Sequence, residues 1–127
     1  MSTYASPQAY RDAAVLTASP VQLVVMLYDG VARFLRQAEV AMAEGNVGHA
    51  HDRMQRAEAI LDELMATLDK RAGDIADNLE GIYVFCKRLL MEGRIQRDPA
   101  KLEKVRRLLV PLRESWSELA ESGAGIA

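Results

Sequence analysis

His49, His51 and Cys86 are the side chains with the greatest chemical reach in this 127-residue chain. Two histidines can hold a metal or carry a phosphoryl group. A di-iron bundle needs Glu-x-x-His pairs facing inward, and Asn46 and Gly48 stand where those glutamates would have to be. A phosphotransfer histidine sits exposed in mid-helix. His51 instead lies near a predicted helix start beside Asp52 and Arg53, so both histidines read as solvated surface groups. Cys86 falls on the apolar seam of a predicted helix with no histidine near it in sequence, which reads as a small buried hydrophobe rather than a nucleophile. One cysteine also excludes an intrachain disulfide framework and a multi-cysteine zinc site. The chain has no Gly-x-Gly-x-x-Gly, no P-loop and no Gly-x-Ser-x-Gly. Acid pairs such as Asp62-Glu63 fall on an outward helix face. No catalytic constellation, cofactor site or metal site emerges.

The elements that carry these residues are helical. Ser19 is a good N-cap, Pro20 suits the first helical position, and Gln22 completes a capping box. Val24, Leu27, Val31, Phe34, Ala38 and Ala41 then recur at spacings of three and four, straight through Asp29-Gly30. Periodicity outweighs the turn-like dipeptide and predicts one helix from 20 to about 43. Gly30 inside it costs roughly 1 kcal/mol relative to alanine. A neighbouring helix, the N-terminal arm or a bound chain must therefore approach its backbone closely.

A second helix is expected from about 47 to 72, with Ala50, Met54, Ala57, Leu61, Leu64 and Leu68 as its seam and Gly73 as its stop. A third is expected from about 75 to 92, capped by Asp74 and ended by Gly93, with Ile75, Leu79, Ile82, Cys86 and Leu89 facing inward. Asp98-Pro99 opens a fourth, with a seam of Leu102, Val105, Leu109, Leu112, Trp116 and Leu119. Pro111 predicts a kink or break near 107–110. The fold class is all-α: an antiparallel four-helix bundle over 19–121, preceded by a mobile N-terminal arm (1–18) and followed by a flexible tail (122–127). The arm is expected to dock through Tyr10, Val15 and Leu16.

Composition agrees with a folded domain, since half the residues are apolar and 27% are charged. A net charge of −2 gives no global attraction to nucleic acid. Eight bases between 87 and 107 and eight acids between 52 and 80 are expected to face each other or water. The longest apolar run, Leu23 to Tyr28, is far short of a membrane span, and no signal peptide is evident. A cytoplasmic protein without membrane insertion is expected.

The chain carries more apolar surface than a small bundle consumes. Leu23 to Tyr28 circle more than one turn of the first helix, and Ile82 to Cys86 with Leu89, Leu90 and Met91 do the same on the third. Such a surplus points to a groove for a helical partner.

The run "VLTASPVQLVVMLYDGVARFLRQA", preceded by Tyr10, resembles the N-terminal signature of the flagellin-specific export chaperones, the FliS family. "AEAILDELMATLD", "IADNLEGIYVFCKRLL" and "LLVPLRESWSEL" resemble the same family in the same order, from about Tyr10 to Leu119. The resemblance implies a non-catalytic cytoplasmic four-helix bundle. It would bind the disordered C-terminal region of flagellin, prevent premature polymerisation and aid delivery to the flagellar type III export gate. In the family the N-terminal arm covers part of the binding surface in the free chaperone. Carried onto matching positions, the partner-binding residues would be Tyr10 and Val15 in the arm, and Leu23, Met26, Leu27, Tyr28 and Asp29 in the first helix. Leu64 and Leu68 follow in the second, and Asn78, Leu79, Ile82, Tyr83 and Leu90 in the third. The alternative is a small regulatory or adaptor bundle that binds a helical partner other than flagellin, such as a regulator or co-chaperone.

Overall fold

A computed structural model describes residues 7–123, with the side chains of Tyr10, Ala14, Val15 and Leu16 outside that description. Five α-helices follow in order: α1 (Pro7–Thr17), α2 (Pro20–Ala43), α3 (Val47–Ala66), α4 (Asp74–Gln96) and α5 (Pro99–Glu121), with a short 3-10 turn at Lys70–Ala72. The last four form the antiparallel bundle. Helix α2 packs against α3 and α5, and α4 closes the square against the same two. Helices α2 and α4 thus face each other across the diagonal.

The helix starts follow from capping chemistry. The Ser19 hydroxyl accepts from the Gln22 amide at 3.2 Å, and the Gln22 side chain accepts from the Ser19 amide at 2.8 Å. Asn46 accepts from the His49 amide to open α3, and Asp98 accepts from the Ala100 amide ahead of Pro99 to open α5. Helix α4 differs from expectation: Gly73, with φ +66°, occupies the cap position, no side chain caps the helix, and Asp74 is its first residue.

Two helix ends also differ. Helix α3 stops at Ala66, well before Gly73. The Thr67 hydroxyl donates to the Leu64 carbonyl, and the Asp69 carboxylate accepts from the Arg71 amide. Both side chains offer the backbone a local alternative to helical bonds. Helix α4 runs past Gly93 to Gln96, where Arg97, at φ 51°, takes the left-handed C-terminal position. Gly93 serves packing instead: a Cβ there would lie 2.7 Å from Leu102 Cδ1, 3.1 Å from Lys101 Cβ and 3.3 Å from the Asp98 carbonyl. At Pro111 the chain does not break, and α5 continues to Glu121. Arg107 and Pro111 are both exposed, so water can serve the carbonyl that proline leaves without a donor.

The core is apolar and aligned along the bundle axis. Met54, Ala57 and Leu61 of α3, and Leu102 and Val105 of α5, are fully buried as their spacing predicts. On α2 and α4 the inward faces are rotated. Tyr28, Val31, Leu35 and Ala38 are buried, while Val24, Leu27 and Phe34 are only partly so. On α4, Ala76 and Tyr83 are buried where Ile75 and Ile82 were expected, and Ile75 is 68% exposed. The two charged regions meet where Lys87 pairs with Asp62 and Arg94 with Glu58, while Lys101 pairs with Glu92 inside the basic region itself. Arg106 forks onto Glu39 of α2 at 2.6 and 2.8 Å. Phe34, at the α2–α3 edge, lies under the guanidinium groups of Arg33 and Arg53 at 5.3 and 5.4 Å.

Gly30 marks a close approach between α2 and α3. A Cβ there would lie 2.9 Å from Ile60 Cδ1, the tip of a side chain that can rotate away. Alanine also regains about 1 kcal/mol of helix propensity there. Gly93→Ala meets backbone and a Cβ, and overpacking of that kind costs about 1–3 kcal/mol. Thermal unfolding of both variants is expected to show a lowered midpoint for Gly93→Ala and a nearly unchanged one for Gly30→Ala; equal losses would contradict this packing account.

Candidate functional site

Buried residues stop short at one pole of the bundle. No residue of α2 before Tyr28 is buried, and none of α5 after Leu109. The early end of α3 and the start of α4 meet at this same pole. The helices part there around a groove of about 930 Å³. Leu23, Val24, Met26 and Leu27 form one wall, and Ile60, Leu64 and Leu68 the opposite one. Ile75, Ala76, Leu79 and Tyr83 of α4 and Trp116 of α5 complete the floor and far side, while Gln8, Arg11 and Asp12 of α1 border it. The first half of the arm helix therefore reaches the groove's edge. The lining is mostly apolar, with charge confined to the rim.

The groove's floor rests on a buried pair. The hydroxyls of Tyr28 and Tyr83 lie 2.6 Å apart, and the rings meet edge-to-face with centroids 6.3 Å apart. The two residues are 2% and 1% exposed, so each hydroxyl depends on the other in place of water. Burial raises the Tyr28 pKa, more than its hydrogen bond with Tyr83 lowers it. Burial, and then the bond to Tyr28, raises that of Tyr83. Burial also pushes the neighbouring Cys86 thiol from 9.0 up to about 11. Such a thiol is protonated at neutral pH and is a poor nucleophile.

At the rim, Arg113 of α5 donates to both carboxylate oxygens of Asp29, at 2.9 and 3.2 Å, which ties α5 to α2 beside the opening. Asp69 is held in the same way by Arg71.

The positions singled out from sequence fall into several groups. Leu23, Met26, Leu27, Asp29 and Leu68 line the groove as accessible residues. Leu64, Leu79 and Tyr83 line it too, but as buried floor. Tyr28 and Leu90 are core, Ile82 is half-buried, Asn78 is exposed, and none of these four borders the groove. The Tyr10 and Val15 side chains lie outside the described residues. Trp116 and Ile75, expected on the inward seams, and Ile60, outside any predicted seam, also line the groove; Trp116 keeps the seam's phase, so nothing in the sequence separates it from core.

A family model for "Flagellar protein FliS" matches residues 2–123. The chain belongs to the FliS family. The flagellar secretion chaperone FliS of Salmonella typhimurium is 33% identical over 86% of this chain and 82% of its own length. Those of Escherichia coli and Bacillus subtilis are 30% and 27% identical, covering 91% and 90% of this chain and 87% and 85% of their own. In this FliS-family bundle the apolar groove of about 930 Å³ sits at the pole where the buried core stops short. A smaller cavity of about 420 Å³ lies at the opposite pole, lined by Met42, Val47, Ala50, His51, Met54, Arg94 and Arg97 among others. Among the described residues, no helix is long and apolar enough to cross a membrane, and no group of three His, Cys, Asp or Glu side chains is placed to hold a metal ion.

Because the folded chain holds Cys86, Tyr28 and Tyr83 with raised pKa values, the unfolded chain loses these protons first as pH rises. Their contribution to stability is complete below about pH 9 and is lost as pH rises toward 11 and beyond. Urea unfolding is expected to show a loss on the order of 2 kcal/mol between pH 8 and pH 11. The Cys86 thiol is expected to resist alkylation at pH 8 until the chain is denatured. Rapid native labelling, or flat stability across that range, would contradict the buried cluster.

Proposed function

We propose that this chain is a cytoplasmic, non-enzymatic export chaperone that binds the disordered C-terminal region of flagellin in the groove. Binding keeps the subunit from polymerising early and presents it to the flagellar type III export apparatus. One observation carries the reading: a mostly apolar groove of about 930 Å³ opens at one pole of a FliS-family bundle. Its relatives are named flagellar secretion chaperones.

The physics favours a segment that folds as it binds. Leu23, Val24 and Leu27 of α2 and Leu64 and Leu68 of α3 line one apolar trough that is open to solvent. An amphipathic helix buries one stripe of side chains in such a trough and keeps its polar face wet. The client's ordering cost is offset by apolar burial. Gln8, Arg11 and Asp12 of α1 at the groove's border support the further reading that the arm shields the trough in the free chain and yields to the client.

Calorimetry with a C-terminal flagellin fragment is expected to show one-to-one binding, and circular dichroism a gain of helix in the complex. Ile75 lines the groove and is 68% exposed, so a charge there is compatible with folding. Ile75→Asp is expected to weaken binding about tenfold or more. Ile95→Asp, at a position 75% exposed and off the groove, is expected to leave it unchanged. Absence of binding, or equal effects at the two positions, would refute the reading.

A further inference from the structure

Helix α4 carries a second stripe that the bundle does not use. Gly81, Val84, Arg88, Met91 and Ile95 recur at spacings of three, four, three and four, and all five are exposed. Val84 is 52%, Met91 57% and Ile95 75% exposed. At about 100° per residue these positions share the side of the helix opposite Cys86, Leu90 and Gly93. On one flank Lys87 and Arg94 reach Asp62 and Glu58 of α3, and on the other Glu92 pairs with Lys101 of α5. None of the five borders the groove or the smaller cavity. Two features set this stripe apart from a solvated face. Of the three glycines inside α2 and α4, Gly30 and Gly93 each answer to a close neighbour within the molecule, whereas a Cβ on Gly81 would meet nothing within 4 Å. Gly81 weakens the helix relative to alanine, and no contact within the chain explains it. The second feature is charge. The Arg88 guanidinium and the Lys104 ammonium lie over the Phe85 ring at 5.5 and 5.9 Å. Among the described residues, neither cation pairs with a carboxylate.

We infer that the outward stripe of α4 docks a partner helix whose apolar seam is flanked by carboxylates. The shape selects a helix: a narrow stripe repeating at three and four over about 16 Å from Val84 to Ile95 matches the seam of another helix laid along it. Gly81 lets the partner's backbone come close at one end. The charge selects the flanks: Arg88 on the stripe and Lys104 on its α5 side are answered by Asp or Glu of the partner. A second copy of this chain fits badly. In a two-fold contact each patch meets itself, so both pairs of cations would gather on one interface with no carboxylate on the stripe to answer them. The stripe lies apart from the groove, so one chain can hold a client and this helix together. The inference does not depend on what occupies the groove.

The test uses the full chain and two synthetic amphipathic peptides of about 20 residues. Both carry a leucine seam; one is flanked by glutamates and the other by lysines. Calorimetry is expected to show the glutamate peptide binding about tenfold or more tighter than the lysine peptide, with the difference shrinking as salt is added. Met91→Asp and Ile95→Asp, both at exposed positions, are expected to weaken the glutamate peptide about tenfold or more while the fold is kept. Arg88→Glu is expected to narrow or reverse the preference between the peptides. Ile75→Asp, in the groove, is expected to change nothing. Gly81→Ala is expected to raise the thermal midpoint of the free chain, since the new Cβ meets open space. Equal binding of the two peptides, no binding of either, or a loss in Ile75→Asp matched by none in Ile95→Asp would overturn the inference. So would a wild-type dimer in sedimentation that Ile95→Asp breaks, or binding to phosphatidylglycerol vesicles in place of the glutamate peptide, because each assigns the stripe another occupant.

Discussion

The bond between the Tyr28 and Tyr83 hydroxyls joins helices that face each other across the diagonal of the bundle, and the rest of the architecture depends on it. A phenol is buried at little cost only when its hydroxyl has a partner. Here two phenols supply each other, so both rings turn inward. That choice sets the rotation of α2 and α4 about their own axes. With Tyr28 inward, Leu27 and Phe34 come to the edge of the core instead of its centre. With Tyr83 inward, Ile75 is turned toward solvent. The apolar surplus of these helices is thereby converted into a lining.

The pole where this happens is open for further, separable reasons. Helix α3 ends at Ala66 because Thr67 and Asp69 bond the local backbone, so one corner of the square stops early. The core on α5 ends at Leu109, leaving Trp116 half-covered. Arg113 braces the same pole by holding Asp29 across to α2. At the opposite pole Gly93 lets the α4–α5 turn fold tightly onto the core. One end of the molecule thus holds only the smaller cavity and the other the larger trough.

Much of this was legible in the residues. Capping signals placed the starts of α2 and α5 because Ser19, Gln22, Asp98 and Pro99 act within one turn. The passage of α2 through Asp29-Gly30 followed from periodicity, and Ile60 of α3 proves to be the close neighbour. The ends were harder. Gly73 and Gly93 look alike in sequence, yet one sits at φ +66° in a turn and the other inside a helix against Leu102. Rotational phase was the main loss. Tyrosine reads as an amphipathic edge residue, and only the presence of Tyr83 across the bundle, 55 positions away, makes Tyr28 a core residue. The same long-range pairing decides which apolar positions become groove, so the groove's residues were only partly foreseeable.

The central claim is that the open pole, and not another face of the bundle, receives the client. Amide hydrogen exchange of the chain with and without the C-terminal flagellin fragment tests this most directly. The account predicts new protection at the pole that the groove opens on: the first half of α2, the end of α3 with the Lys70–Ala72 turn, and the start of α4. Protection centred instead on the α2–α3 loop and the end of α4, at the opposite pole, would contradict it.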